Sequence, residues 1–338
     1  MSAPSEVPKV NKAVSNGYGP PAEPFPLPDN ADILTQNAIK YMSFAGDPRT
    51  RFIFQNLTRH LHQFVKETDI TTEEWMTAIQ FLTATGQKCT SLRQEFILLS
   101  DVFGVSALVD AINNPNVGSA TESSVLGPFF TEDANDVPFG ESIASEGKGE
   151  YMLVQGRILN TAGEPIPDAT IETWETDDLG FYDTQYTDRQ GPDCRGRLKS
   201  DAEGRYQYRA VVPVSYPIPG DGPVGTLLEL VHRHNNRPSH LHMMVEKKGY
   251  HKLVTALYPE GDPYLTSDTV YGVKKSLVVK LTKIESDEEA RKHGFKKGPF
   301  TLLTHDYVLL TDDEAREARK KVTEANLLKE AEFQKLIS

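Results

Sequence analysis

Three His-x-His pairs stand in the chain: His60/His62, His232/His234 and His240/His242. Two imidazoles one residue apart suit a metal site only if the backbone presents both to one side. On a helix, positions two apart point about 200° away from each other, whereas on a strand they share a face. His60/His62 lies in "RFIFQNLTRHLHQFVKE", whose apolar residues recur at helical steps, so it reads as two unconnected histidines. The other two pairs lie in β-like text. "TLLELVHRH", "NNRP" and "SHLHMMV" read as strand, turn and strand, with Leu241 directed into a core and His240/His242 on the opposite face. His232 looks the more exposed, which favours the later pair.

Two imidazoles do not hold a metal by themselves. A zinc hydrolase site would show H-E-x-x-H, which is absent. A non-haem Fe(II) site would place a carboxylate where this pair has its second histidine. Tyrosine is the remaining oxygen donor, and two of the 13 tyrosines stand in unusual contexts. Tyr182 follows a glycine-containing loop, "TDDLGFYDTQ". Tyr216 is pinned between prolines in "PVSYPIPGDGPVG", which holds a side chain rigidly. For either tyrosine alone, a packed ring with a wet hydroxyl is the simpler assignment. A phenol titrates near pH 10, so only a strongly Lewis-acidic ion keeps it ionised at neutral pH. Two phenolates with two neutral imidazoles would suit Fe(III) better than Zn(II) or Fe(II).

The elements that must position these groups divide the 338 residues by texture. Residues 1–29 are rich in Pro, Gly and Ser and read as an extended or disordered arm. Residues 30–113 read as a helical module. Phe52, Ile53, Leu57, Leu61 and Phe64 fall near one helical face, "TTEEWMTAIQFLTATGQK" starts at Thr72 and stops at Gly86, and "SLRQEFILLSDVFGVSALVDAI" supplies a third apolar stretch. Residues 114–310 hold eight short β-rich segments split by Gly, Pro, Asp and Asn, which predicts a β-sandwich or barrel. Residues 311–338 read as a terminal helix capped by Thr311. The fold class is α+β: a helical module followed by an antiparallel β-sandwich.

Bulk properties exclude several classes. A net charge of −12 and scattered basic residues argue against nucleic acid. Two cysteines, Cys89 and Cys194, are too few for a disulfide scaffold. No apolar run approaches a membrane span, and the N-terminus lacks the apolar segment of a secretory signal, so a cytoplasmic location is expected.

The chain resembles the intradiol ring-cleavage dioxygenases. The resemblance is carried by "VLGPFF" (125–130), "GFYD" (180–183), "GRLKSDAEGRYQYR" (196–209), "YPIPGDGPVGTLL" (216–228), "RHNNRPSHLHMMV" (233–245) and "DPYLTSDTVYGVKKSL" (262–277). It implies non-haem Fe(III) held by Tyr182, Tyr216, His240 and His242, with Tyr182 and His240 equatorial and Tyr216 and His242 axial. It implies a catecholic substrate bound as a dianion, with Tyr216 displaced and helping to take a proton. Both atoms of O2 would enter the ring between the vicinal hydroxyls. Arg237 matches the family's arginine beside the ring, a preorganised cation facing developing negative charge. The helical segment resembles the catechol-type subgroup, which implies a homodimer through these helices and, in related enzymes, lipid tails at that interface.

Within the family the pocket resembles that of the hydroxyquinol dioxygenases. Leu98 and Asp101 lie three apart on a helix and face one pocket, where Asp101 could accept a hydrogen bond from the third hydroxyl of benzene-1,2,4-triol. A surface acid or local cap is the competing assignment for Asp101. Val125, Leu126, Gly127, Pro128, Phe129, Ile218, Pro219 and Val270 match the other pocket positions. Ala256 stands where many catechol-specific members carry a glutamine, so that position has no polar group to orient Arg237. His234 belongs either to the surroundings of the site or to the turn. The expected reaction converts hydroxyquinol to 3-hydroxy-cis,cis-muconate, hence maleylacetate. The runners-up are the same chemistry on catechol or a chlorocatechol, and a β-sandwich binding module without turnover.

Overall fold

The computed structural model describes residues 18–90 and 93–337, with the backbone alone from residue 327. Residues 1–17 of the expected arm lie outside the described residues, and 18–30 contain no helix or strand. The chain packs as two compact units, Met1–Gln80 and Phe81–Ser338.

The first unit holds helices α1 (Ala31–Met42) and α2 (Pro48–Thr68) and the start of α3 (Thr72–Lys88). Each start is capped. Asn30 accepts from the amides of Asp32 and Ile33, and Asp47 accepts from that of Thr50, with Pro48 opening α2. Helix α3 starts at Thr72 as expected, capped by Thr71 through a reciprocal exchange with Glu74, and runs two residues past Gly86. His60 and His62 take separate partners. His62 Nδ1 lies 3.0 Å from Thr35 Oγ1, and His60 Nε2 lies 3.3 Å from Arg59 Nη2.

The second unit takes the end of α3, followed by α4 (Glu95–Val102) and α5 (Val105–Asn113). One continuous apolar stretch becomes two helices because Gly104 turns the chain with φ +73°, against the ring of Tyr271. The strands are β1 (Tyr151–Asn160), β2 (Thr170–Trp174), β3 (Arg195–Lys199), β4 (Arg205–Val211), β5 (Tyr216–Pro217), β6 (Asn236–Arg237), β7 (Leu241–Glu246), β8 (Leu253–Pro259), β9 (Val278–Val279), β10 (Thr282–Ile284), β11 (Phe300–Thr304) and β12 (Tyr307–Leu309). Three further helices are α6 (Pro223–Leu230), α7 (Asp287–Lys292) and α8 (Asp312–Ile337). Thr311 caps α8 through a second reciprocal exchange, with Glu314.

One sheet runs β10-β11-β1-β12 with β4 along the other edge of β1, and the second runs β3-β2-β7-β8-β9. The sandwich is mixed rather than wholly antiparallel: β1 runs parallel to β11 and β12, and β8 runs parallel to β9. "TLLELVHRH" is a further correction. Its first five residues end helix α6 and the rest turn away, so it is not a strand, because Pro223 opens the helix and the buried Val224, Gly225 and Leu228 follow helical spacing. The chain between α6 and β7 is therefore no β-hairpin.

Alternation along β7 decides where the histidines point. Leu241, Met243 and Val245 enter the core between the sheets, with Val154 and Ile158 of β1 and Tyr206 and Tyr208 of β4. His242 and Met244 face the other side of the sheet. There Met244 joins a second cluster with Trp174, Tyr182, Tyr216, Ile218, Val224 and Val270. Helices α4 and α6 cover that side, tied together where Glu95 Oε1 accepts the Val224 amide at 3.3 Å. Among the described residues no helix is long and apolar enough to cross a membrane.

Candidate metal centre and substrate cleft

Tyr182, Tyr216, His240 and His242 converge on the outer face of the second sheet. All four are buried, at 0%, 3%, 1% and 2% exposure. His242 sits on β7 between Trp174 of β2 and Ala256 of β8, and the Trp174 indole stacks on its ring at 4.7 Å between centroids. His240 precedes β7 by one residue. Its Nδ1 lies 2.8 Å from the Pro238 carbonyl, which can only accept, so Nδ1 carries the proton and Nε2 presents a lone pair. Tyr216 pairs with Arg237 across the short β5–β6 ladder, so one register fixes a donor and the cation together. Tyr182 follows the turn at Gly180 (φ +81°), whose missing Cβ would lie 3.2 Å from Cβ of Tyr216. Its ring stacks on Phe129 at 4.4 Å.

The donor atoms form a connected set. Tyr182 Oη lies 3.4 Å from Tyr216 Oη and 3.2 Å from His240 Nε2, and the two histidine Nε2 atoms are 3.1 Å apart. Donors about 2.0–2.1 Å from a shared ion stand roughly 2.9–3.4 Å from one another between right-angle and tetrahedral geometry. The set fits a single cation. No group of three or more His, Cys, Asp or Glu able to hold a metal occurs among the described residues, and the side-chain oxygens that stand with these two imidazoles are those of Tyr182 and Tyr216.

Electrostatics point the same way. Burial pushes both imidazoles well below their ordinary values, reinforced at His240 by the Arg237 charge and at His242 by His240. Both are neutral and ready to donate lone pairs. Burial pushes the Tyr182 phenol well up, so in protein alone it stays protonated. A bound cation supplies the missing charge and reverses that preference. His242 Nδ1 and Trp174 Nε1 are buried with no hydrogen-bond partner among the described residues.

The expected pocket residues separate into two groups. Leu98, Val125, Phe129, Ile218 and Val270 join the cluster around Tyr182 and Tyr216. Gly127, at φ +73°, faces His242 at ordinary contact distance, a Cβ there lying 3.7 Å from the ring. Leu126 (39% exposed) and Pro128 turn outward, and half-buried Pro219 lies outside the cluster. Asp101, on α4, is half-buried. Burial holds its carboxyl above the usual range, against the pull of the Ser106 hydroxyl and the Arg237 charge. His234 bonds Ser267 at 2.8 Å and stays outside the donor set, and Ala256 presents only a methyl beside His242.

Sequence reading missed several residues that shape the site. Arg195 is buried against Asp183, the neighbour of Tyr182, and donates to the Phe129 carbonyl at 2.9 Å, joining two loops of the site. Asp268, Tyr258 and Gly272 surround Arg237. Asp268 and Gly272 lie in "DPYLTSDTVYGVKKSL", a polar, turn-rich stretch, and Tyr258 lies near the end of strand β8, so no local spacing links them to Arg237.

Comparisons with known proteins place this arrangement. Residues 125–305 match the family model described as dioxygenase, and residues 47–121 match that of the catechol dioxygenase N terminus. The chain is 48% identical to an intradiol ring-cleavage dioxygenase of Aspergillus niger over 88% of this chain and 90% of that one. It is 48% identical to a hydroxyquinol 1,2-dioxygenase of Rhizobium over 81% of this chain and 93% of the other. The solved structure of hydroxyquinol 1,2-dioxygenase from Pseudomonas putida superposes with a TM-score of 0.79 at 44% identity, covering 83% of this chain and 99% of that one. With the donor set, the sandwich and the matched segments in agreement, this chain belongs to the intradiol ring-cleavage dioxygenase family.

Proposed function

We propose that the chain is a non-haem Fe(III) dioxygenase that opens the ring of hydroxyquinol between vicinal hydroxyls, giving 3-hydroxy-cis,cis-muconate and hence maleylacetate. The observation that carries this reading is the buried set Tyr182, Tyr216, His240 and His242, with donor atoms 3.1–3.4 Å apart. The names of the relatives supply the substrate class. Bound ferric iron supplies the Lewis acidity that keeps phenolate and catecholate oxygens ionised at neutral pH.

The chain's own groups do the rest. Tyr216 accepts a proton from a substrate hydroxyl at its Oη. Arg237 sets a fixed guanidinium beside the donor set, with Nη1 3.1 Å from His240 Nε2, where it stabilises negative charge developing on the ring. Phe129, Val125, Ile218, Leu98 and Val270 exclude water around a flat aromatic substrate. Asp101 accepts the third hydroxyl. Catechol or chlorocatechol cleavage is the second reading, favoured only if Asp101 faces away from the ring.

We also read residues 30–113 as a dimerisation module ahead of a catalytic domain at 114–310. Ile53, Leu57, Leu61 and Phe64 of α2 are each about half exposed, an apolar face that a second copy would cover.

Iron reconstitution followed by oxygen uptake tests the reading. The loaded protein should be red-brown from tyrosinate-to-iron charge transfer and should consume O2 faster with benzene-1,2,4-triol than with catechol. A colourless, inactive protein after reconstitution overturns it.

A further inference from the structure

Arg237 is buried, and its fork is held on two of its three sides. Nε and Nη2 donate to the two oxygens of Asp268 at 3.1 and 3.3 Å, and Nη2 also donates to Tyr258 Oη at 3.3 Å. Only Nη1 is aimed at the donor set, 3.1 Å from His240 Nε2. Asp268 is itself anchored, accepting the amides of Val270 at 3.3 Å and Gly272 at 2.8 Å. Ser124 closes the ring of contacts. Its hydroxyl donates to the Gly272 carbonyl at 2.8 Å and lies 3.2 Å from Tyr258 Oη.

The space for this arrangement is cut to shape. A Cβ on Gly272 would stand 2.8 Å from both Arg237 Nη2 and Tyr258 Oη and 3.2 Å from Asp268 Oδ2. A carboxylate paired with two guanidinium nitrogens fixes the plane of the fork as well as its position. The third nitrogen then points in one direction only.

We infer that Asp268 is a positioning residue of the reaction: it holds Arg237 so that Nη1 alone faces the substrate cleft, with Tyr258 and Gly272 setting the remaining contacts. This rests on the reading of Arg237 given under the proposed function. The partners of Asp268 are Arg237 and the amides of Val270 and Gly272, not the four donor atoms. It also supplies the negative charge that offsets a buried guanidinium, and it ties the loop carrying Val270, a wall of the cleft, to the same arginine.

A purely structural salt bridge would lower stability without changing turnover per loaded chain, so the test separates the two. Wild type, Asp268→Asn, Arg237→Met and the double variant are loaded with iron. Each is assayed for O2 uptake with benzene-1,2,4-triol as kcat per bound iron and KM, alongside thermal unfolding. Asp268→Asn should lower kcat about 10²-fold, the scale set by a misplacement of an ångström, with KM nearly unchanged. Added to Arg237→Met, it should change kcat by less than about twofold, because a residue acting through another has nothing left to act on.

An equal loss from Asp268→Asn in both backgrounds overturns the inference, as does an unchanged kcat in Asp268→Asn alone. An unchanged kcat in Arg237→Met instead overturns the role given to Arg237, and the inference falls with it. Should Asp268→Asn fail to fold, Tyr258→Phe removes one contact on Nη2. It should lower kcat about 2- to 10-fold when Arg237 is present and not when it is Met, and equal effects in both backgrounds reject the inference.

Discussion

Replacing Asp101 by asparagine tests the substrate side of the cleft most directly. Asp101 lies on α4, three residues after Leu98, half-buried, with Arg237 and Asp268 the charges it senses. A substrate hydroxyl donating to this carboxylate makes a charge-assisted hydrogen bond worth about 1.5–3 kcal/mol. The amide oxygen of asparagine keeps a neutral bond worth about 0.5–1.5 kcal/mol, so the net loss is about 1–2 kcal/mol. At 1.36 kcal/mol per tenfold, kcat/KM for benzene-1,2,4-triol should fall roughly 5- to 30-fold. Catechol has no third hydroxyl and leaves the carboxylate with the Ser106 hydroxyl but no substrate partner in a partly dry site. Its kcat/KM should hold or rise in the variant. Initial rates of O2 uptake with both substrates measure the ratio. If both substrates lose activity by the same factor, or the ratio stays at the parent value, Asp101 does not read the third hydroxyl and the specificity argument fails.

The same substitution makes a prediction about stability. The Asp101 carboxyl titrates above its ordinary value of 3.8 because of burial. Below that value both folded and unfolded chains are protonated and no penalty exists. As pH rises, the unfolded chain releases its proton first, so the folded state loses stability through the window up to the raised value and keeps the full penalty above it. Asp101→Asn should therefore be more stable than the parent at neutral pH, with the gap closing below 3.8; urea unfolding that gives equal stabilities at neutral pH contradicts this. A second substitution probes the packing of the cleft wall. Glu95 is fully buried, pairs with Arg93 Nε at 2.8 Å and takes the Val224 amide at the positive end of α6. Breaking a fully buried pair costs about 3–5 kcal/mol. Arg93 is 25% exposed and regains water, so Glu95→Gln should cost about 2–3 kcal/mol in chemical denaturation, and a loss under about 1 kcal/mol would show that the two helices are held by apolar contacts alone.

Much of the site was legible because its residue types are rare in combination. Strand alternation in "SHLHMMV" told which way His240, Leu241 and His242 point, and the structure keeps that alternation. The proline and glycine frames of Tyr216 and Tyr182 marked rigid loops, and both loops deliver their phenols to one point. The reading of "TLLELVHRH" failed for an identifiable reason. Its run of β-branched and leucine residues carries no clear period, and the helix is decided by Pro223, by the cap region at Gly222 and by burial against α4.

The sequence by itself determined the α+β class and marked the histidine pair and the two rigidly framed tyrosines, because each depends on residue type, local spacing and turn chemistry, while the place of Arg237 beside them came from the resemblance to the family. The tertiary structure alone decided how these groups are held. Trp174 lies under His242 because two strands share a register, Arg195 ties the Tyr182 loop to that of Phe129, and Asp268 takes Arg237 from a loop 31 residues away. Such contacts join segments distant in sequence. Their geometry follows from sheet register and loop packing, which no local pattern encodes.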